Sequence, residues 1–330
     1  MKKTIYIFNE GELHRKNNTL FFESEEGKKY LPVEDISEIC IMGEVGASKK
    51  FLEFCTTHQI ILHYFNYHEY YVGSYYPREH YNSGYMLLRQ VEYYLDINKR
   101  KELAYKFIDG SVKNILNVLK YYSNREKAVQ LQVDKIIELE NKLNEELTIE
   151  QMMAVEGNIR EVYYGAFDNI LENDTFSFEV RTRRPPQNKI NSLISFGNSL
   201  MYITVLSEIY KTHLDPRIGY LHSTNNRRFT LNLDVAEIFK PLLVDRVIFT
   251  LIAKKMIQAK HFDKKIDSIL LNEEGRKIFI AQYEEKLQST FLHKELERNV
   301  SYRRLIRMEL YKLEKHFMGE KDYDPFISKW

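Results

Sequence analysis

At 330 residues, 44% hydrophobic and 29% charged, the chain is long enough for one large domain or two unequal ones with real cores. Two cysteines exclude a disulfide framework, nothing near the start resembles a signal peptide, and no stretch approaches the ~20 apolar residues of a membrane span. The expectation is a soluble, cytoplasmic protein, and a formal charge of +1 gives by itself no argument for a nucleic-acid partner.

The first 76 residues read as β-rich. Aromatic and β-branched runs at 4–8, 19–22, 28–32 and 36–42 predict strands, separated by turn signals at Asn9, Gly11, Asn17 and Asn18. Ser48 is placed to cap a short helix over 49–57, with Phe51, Leu52, Phe54 and Cys55 inward, and strands over 60–65 and 70–76 follow. The expected unit is a small β-sandwich with one helix. The Tyr-rich stretch 64–81 suits a dimer contact or packing onto the helical domain, because tyrosine serves interfaces as well as cores.

Residues 77–84, with Pro77, Asn82, Ser83 and Gly84, read as a linker. Beyond it the apolar spacing changes from 2 to 3.6. Helices are predicted over 85–95, 99–122, 127–143, 193–210, 235–257 and 302–317, and another starts at the Thr148/Gln151 capping-box signal. The fold expected is α+β in two domains, a sandwich-like domain over 1–76 that dimerises and an all-helical catalytic domain over 85–330.

Three separate segments carry chemistry. Glu156 borders the apolar face of the helix that begins after Thr148, and Gly157 beside it suggests that something close by needs room, since glycine costs a helix ~1 kcal/mol. Taken alone, Glu156 is an ordinary surface carboxylate. Asp215, Pro216 and Gly219 punctuate a loop that delivers His222, which alone is as well explained structurally. Asp234 and Glu237 lie three apart in the first turn of the next helix, where acids complement the helix dipole. Together, two carboxylates and an imidazole form a hard oxygen–nitrogen set that suits Mg²⁺ or Mn²⁺. A cluster of acids would repel itself without metal.

Between these segments charge is uneven. Residues 180–233 hold eight basic side chains, among them Arg181, Arg183, Arg184, Arg227 and Arg228, against two acids. A cation at a scissile phosphate beside basic groups is what phosphodiester chemistry needs. The double proline after Arg184 equally fits a structural strap.

These blocks, in this order, resemble the CRISPR-associated protein one family. Glu156-Gly157 with Tyr163-Tyr164 is similar to its Glu-Gly block, and 178–186 to its Arg and double-Pro segment. Residues 191–200 resemble its Ser-Phe-Gly helix, 214–222 its Leu-Asp-Pro-x-x-Gly-Phe-Leu-His block, and 233–241 its acidic block, with Asp245 following where an Asp is usual. Asn188, Ile238 and Lys240 depart from the pattern without removing a ligand. The resemblance implies an N-terminal β domain, a helical catalytic domain, and Glu156, His222 and Glu237 as metal ligands with Asp234 close by. It further implies a homodimer that joins a small ferredoxin-like protein, CRISPR-associated protein two, and inserts spacer-precursor DNA into the repeat array by attack of a 3′-hydroxyl. A nuclease that only cuts branched DNA and a non-catalytic DNA scaffold remain the alternatives.

Overall fold

The computed structural model of the protein describes residues 2–66, 70–78, 81, 83–183, 185–224, 229–265, 267–293 and 296–328. It divides into two compact units, Met1–Asn82 and Ser83–Trp330.

The first unit is built from β1 (Lys3–Ile7), β2 (Gly11–Lys16), β3 (Thr19–Ser24), β4 (Gly27–Leu31), β5 (Ile36–Ile41), β6 (Val45–Ala47), α1 (Lys49–His58), β7 (Ile61–Phe65) and β8 (Tyr71–Tyr75). One sheet runs β1-β5-β7-β8 and the other β4-β3-β2-β6. Leu13, Leu20 and Phe22 of one sheet, Ile39, Ile41 and Leu62 of the other, and Phe51 and Phe54 of α1 fill one core. Contrary to a plain antiparallel sandwich, β1, β5 and β7 are parallel, and α1 makes the crossover between β5 and β7. That placement buries every residue of β5, the polar Ser37 and Glu38 included. Ser48 caps α1 through the Phe51 amide.

The second unit contains α2 (Gly84–Leu95), α3 (Ile97–Ser123), α4 (Gln130–Glu140), α5 (Ile149–Gly165), α6 (Phe167–Leu171), α7 (Lys189–Ile209), α8 (Leu231–Lys240), α9 (Arg246–Ala253), β9 (Phe262–Lys264), β10 (Ile269–Leu271), α10 (Glu273–Gln288), β11 (Thr290–His293), β12 (Arg298–Ser301) and α11 (Tyr302–Phe317). It is predominantly but not wholly helical: β9 pairs with β10 and β11 with β12, both antiparallel. These short hairpins correct the all-helical expectation. α7 is buried over most of its length, from Ile190 to Ile209, with α8 and α11 against it. Such a helix has little polar face to show. The C-terminal tail is tied down on α3, where Asn114 donates to Ile238 and Phe326 carbonyls and accepts from the Ser328 amide.

The helix expected over 235–257 is broken. Pro241 has no N–H to give the carbonyl four residues back, and its ring crowds that carbonyl, which belongs to Glu237. The chain answers with a π turn over Pro241–Asp245 before α9 resumes. The widened turn therefore lies directly behind Glu237.

Candidate metal centre

Glu156 is set by α5. Both halves of the capping box form, Gln151 N–H to Thr148 Oγ1 at 3.2 Å and Thr148 N–H to Gln151 Oε1 at 2.8 Å. Met152, Ile159 and Tyr163 turn inward and leave Glu156 at the margin, its side chain 22% exposed, with Arg160 one turn on. Gly157 does not serve close packing as expected, because a Cβ there would meet no atom within 4 Å.

His222 arrives on the loop after α7. Gly219 is required here: its N–H donates to Thr230 Oγ1 at 2.8 Å, and a Cβ would fall 2.8 Å from Thr230. Tyr220 is fully buried, stacked on Phe317, with its hydroxyl donating to the Gln90 carbonyl. Asp234, on the first turn of α8, gathers this loop. Its Oδ2 accepts from the amides of Tyr220 (2.6 Å) and Leu221 (3.1 Å), and its Oδ1 from the amide of His222 (2.9 Å). The His222 ring closes the set, Nδ1 to Oδ1 at 2.8 Å. A carboxylate can only accept, so Nδ1 carries the proton and Nε2 keeps its lone pair. Burial draws the imidazole pKa down, and the bond and charge of Asp234, helped by Glu237, more than reverse this, leaving it above the ordinary 6.5.

Glu237 lies in the next turn of α8, buried between two cations. Oε2 accepts from Arg160 Nη2 at 2.7 Å and Oε1 from Lys240 Nζ. Arg160 also reaches Glu156 Oε1 from Nε at 3.2 Å and Ser111 Oγ at 3.1 Å, so one guanidinium bridges carboxylates from α5 and α8. Burial alone would raise the Glu237 pKa, but Lys240 and then Arg160 hold it at about 2. The acids are thus neutralised internally, which corrects the picture of a self-repelling cluster. Glu156 and Glu237 meet across Arg160 and the His222 ring is near enough to be felt by Glu237, yet among the described residues no three acidic, His or Cys groups already form a metal cage. The donor chemistry fits a hard divalent cation: carboxylate oxygens and an imidazole nitrogen, already organised around positive charge.

Arg160 escaped the sequence argument, and Lys240 entered it only as a departure from the family pattern. Their spacing was the available signal, since i+4 from Glu156 and i+3 from Glu237 are helix-neighbour positions. Asp245, at the end of the π turn, is fully buried with neither oxygen hydrogen-bonded within the described residues. Burial raises its pKa to about 6 against the pull of Arg160.

Of the basic candidates, Arg181 is engaged within its own segment, donating to the Thr182 carbonyl, Asn191 Oδ1 and Ser195 Oγ. Asn191 in turn donates to the Val180 carbonyl, and Asn188, the α7 cap, to that of Phe178. This is a strap that fastens 178–182 to the start of α7. Arg183 is exposed. Arg184, Arg227 and Arg228 lie outside the described residues.

A two-unit fold with carboxylates from two helices and a carboxylate-held imidazole defines a class of candidate metal-dependent phosphodiester proteins. The chain belongs to the CRISPR associated protein Cas1 family, whose model matches residues 5–285. It is 57% identical over 330 residues, all of both chains, to the CRISPR-associated endonuclease Cas1 2 of Thermodesulfovibrio yellowstonii. It is 47% identical over 319 residues to the CRISPR-associated endonuclease Cas1 of Thermotoga maritima, covering 97% of this chain and 98% of that one. A solved Cas1 protein from Thermotoga maritima superposes with a TM-score of 0.89 at 45% identity, covering 98% and 99% of the two chains. A casposase bound to an integration product shares the fold at 19% identity, TM-score 0.85, over 99% of this chain and 94% of that one.

Proposed function

We propose that this chain is a DNA endonuclease and integrase of CRISPR adaptation, with Mg²⁺ or Mn²⁺ held by Glu156, His222 and Glu237. The observation that carries this reading is the Glu156–Arg160–Glu237 bridge beside the His222 that Asp234 positions. Two carboxylates converging on one positive group, with an imidazole lone pair nearby, are the protein half of a cation site. The endonuclease names of full-length relatives at 57% and 47% identity support the same reading.

A bound cation supplies Lewis acidity, polarising the phosphodiester and lowering the nucleophile's pKa. The chain's own residues do the rest. Glu156 and Glu237 fix where positive charge sits, Asp234 sets the tautomer and direction of His222, and exposed Arg183 lies against backbone phosphates. In integration a 3′-hydroxyl attacks phosphorus: a new P–O bond forms as the bond to the departing 3′ oxygen breaks, and the proton lost by one hydroxyl is gained by the other. Water in place of the 3′-hydroxyl gives hydrolysis. The partners are spacer-precursor DNA, the repeat array, a second copy of the chain joined through the β-rich unit, and a small Cas2-type protein, as in the solved complex described as Cas6-RT-Cas1–Cas2.

The test is Mn²⁺-dependent strand transfer of a labelled duplex into a supercoiled repeat-containing plasmid, run beside cleavage of a labelled branched duplex. Glu156→Ala is expected to abolish both with DNA affinity retained. Cleavage without strand transfer supports the branched-DNA nuclease instead, and neither activity in a DNA-binding wild type supports the scaffold.

A further inference from the structure

The geometry points to Arg160 as a built-in occupant of the cation site, a guanidinium that a divalent ion must displace and that Asp245 is placed to receive. The inference rests on the metal-site reading above and adds a regulatory step to it.

Three observations converge. The guanidinium lies between the two carboxylates proposed as ligands, at 3.2 Å from Glu156 Oε1 and 2.7 Å from Glu237 Oε2. The guanidinium carries positive charge to the place where a divalent ion would approach the same oxygens, so the two cations repel and compete for one site. Lys240 donates to the other Glu237 oxygen, so both oxygens of Glu237 already carry a cationic partner.

Second, Arg160 has an alternative partner. Nη1 makes no hydrogen bond within the described residues, and the buried carboxylate of Asp245 has the Tyr163 hydroxyl facing it without a well-formed hydrogen bond to either oxygen. Buried polar atoms without partners are uncommon in native proteins, and each costs free energy while it stays unpaired. Here a buried carboxylate and a guanidinium N–H both lack a well-formed partner, and the Arg160 charge acts on Asp245. A shift of Arg160 toward Asp245 pairs them and exposes the two glutamates.

Third, Asp245 closes the π turn that Pro241 forces behind Glu237. The widened backbone turn carries the receiving carboxylate, and π turns recur at functional sites. Arg160 thus keeps the site neutral and folded before metal arrives, and raises the threshold for loading it.

The experiment is Mn²⁺ titration followed by loss of the free-ion paramagnetic resonance signal, on full-length wild type, Arg160→Met, Asp245→Asn and the double variant, with folding checked by circular dichroism. Removing the competitor is expected to tighten Mn²⁺ binding by roughly tenfold or more. Asp245→Asn is expected to weaken it by a similar factor, and to lose most of that effect in the Arg160→Met background, as coupled residues do. Unchanged or weaker binding by folded Arg160→Met overturns the inference, as does an Asp245→Asn effect equal in both backgrounds. If Arg160→Met does not fold, a Mn²⁺-soaked wild-type crystal decides: Arg160 on Asp245 supports the displacement, and Arg160 still bridging Glu156 and Glu237 overturns it. A wild type that binds no Mn²⁺ removes the metal reading itself, a failure distinct from Mn²⁺ binding that ignores Arg160.

Discussion

Asp234 Oδ1 accepts twice from the same residue, from the backbone N–H of His222 at 2.9 Å and from its ring Nδ1 at 2.8 Å. One oxygen thereby fixes the position of the loop and the orientation of the ring. With Oδ2 taking the amides of Tyr220 and Leu221, the buried carboxylate acts through His222 and belongs to positioning.

Asp234→Asn keeps the size of the side chain but turns one acceptor into a donor. The amide group can satisfy only part of the loop, and the fixed tautomer of His222 is lost. Mn²⁺ affinity is expected to fall about 10- to 100-fold, the range seen when partners of metal-bound histidines are removed. Calorimetric titration measures this, and a second run on His222→Gln separates positioning from loop damage. If Asp234→Asn still weakens binding with His222 gone, the carboxylate acts by another route.

Glu156 and Glu237 share a cationic partner, yet their removal without metal is expected to differ. Glu156→Ala leaves Arg160 paired to Glu237, and the lost pair is partly exposed, so the change should stay within about 1 kcal/mol. Glu237→Ala removes the buried carboxylate from Lys240 and leaves Arg160 only its partly exposed Glu156 partner, with an expected loss of about 3 to 5 kcal/mol. Urea denaturation of both variants in chelator checks the asymmetry. Equal losses would mean that Arg160 does not organise the site.

The contrast between these two glutamates shows what the sequence could and could not reveal. Local signals read true: the Ser48 and Thr148 caps form, α11 spans 302–317 as its 3.6 spacing predicts, and β5 covers most of the strand expected over 36–42. β2 escaped because Gly11-Glu12-Leu13-His14-Arg15-Lys16 offers one core residue, Leu13, and looks like loop. The 235–257 expectation followed apolar spacing straight through Pro241, where the helix gives way to a π turn. In the site, the residues with ligand chemistry stood out by type. Those that neutralise them did not, because Arg160 is bound to Glu237 across 77 positions of sequence.

The burial of Asp245 makes stability depend on pH. Its folded pKa, raised to about 6, exceeds the ordinary 3.8, so the native state holds the proton more tightly than the unfolded chain. This contribution to stability is therefore full below pH 3.8 and lost as pH rises through about 6. Arg160, Tyr163, Lys240 and Glu237 face the group, and Asn at 245 removes the titration while keeping their surroundings. Asp245→Asn without metal is expected to be more stable than wild type at pH 7.5 by on the order of 2 kcal/mol, with the gap closing toward pH 4.5. Melting curves of both proteins across that range are the check. A gap that widens on acidification would reverse the sign and contradict the raised pKa.

Arg183 separates DNA affinity from cation binding. It is exposed on the segment whose neighbour Arg181 is held by Asn191 and Ser195, so its guanidinium is presented by a strap fixed to α7. A guanidinium on a fixed platform meets a phosphate with less ordering to do, and each phosphate neutralised releases counterions. Arg183→Ala is expected to weaken binding to all duplex sequences alike and to lower the slope of log affinity against log salt by about one. Arg181→Ala should instead loosen the strap, lowering the melting temperature with a smaller change in slope. The Mn²⁺-induced rise in melting temperature is expected to persist in Arg183→Ala, because the ion is bound by other residues. Fluorescence anisotropy at several salt concentrations, with thermal melts with and without Mn²⁺, measures all three. An unchanged salt slope in Arg183→Ala would take this arginine out of the DNA interface.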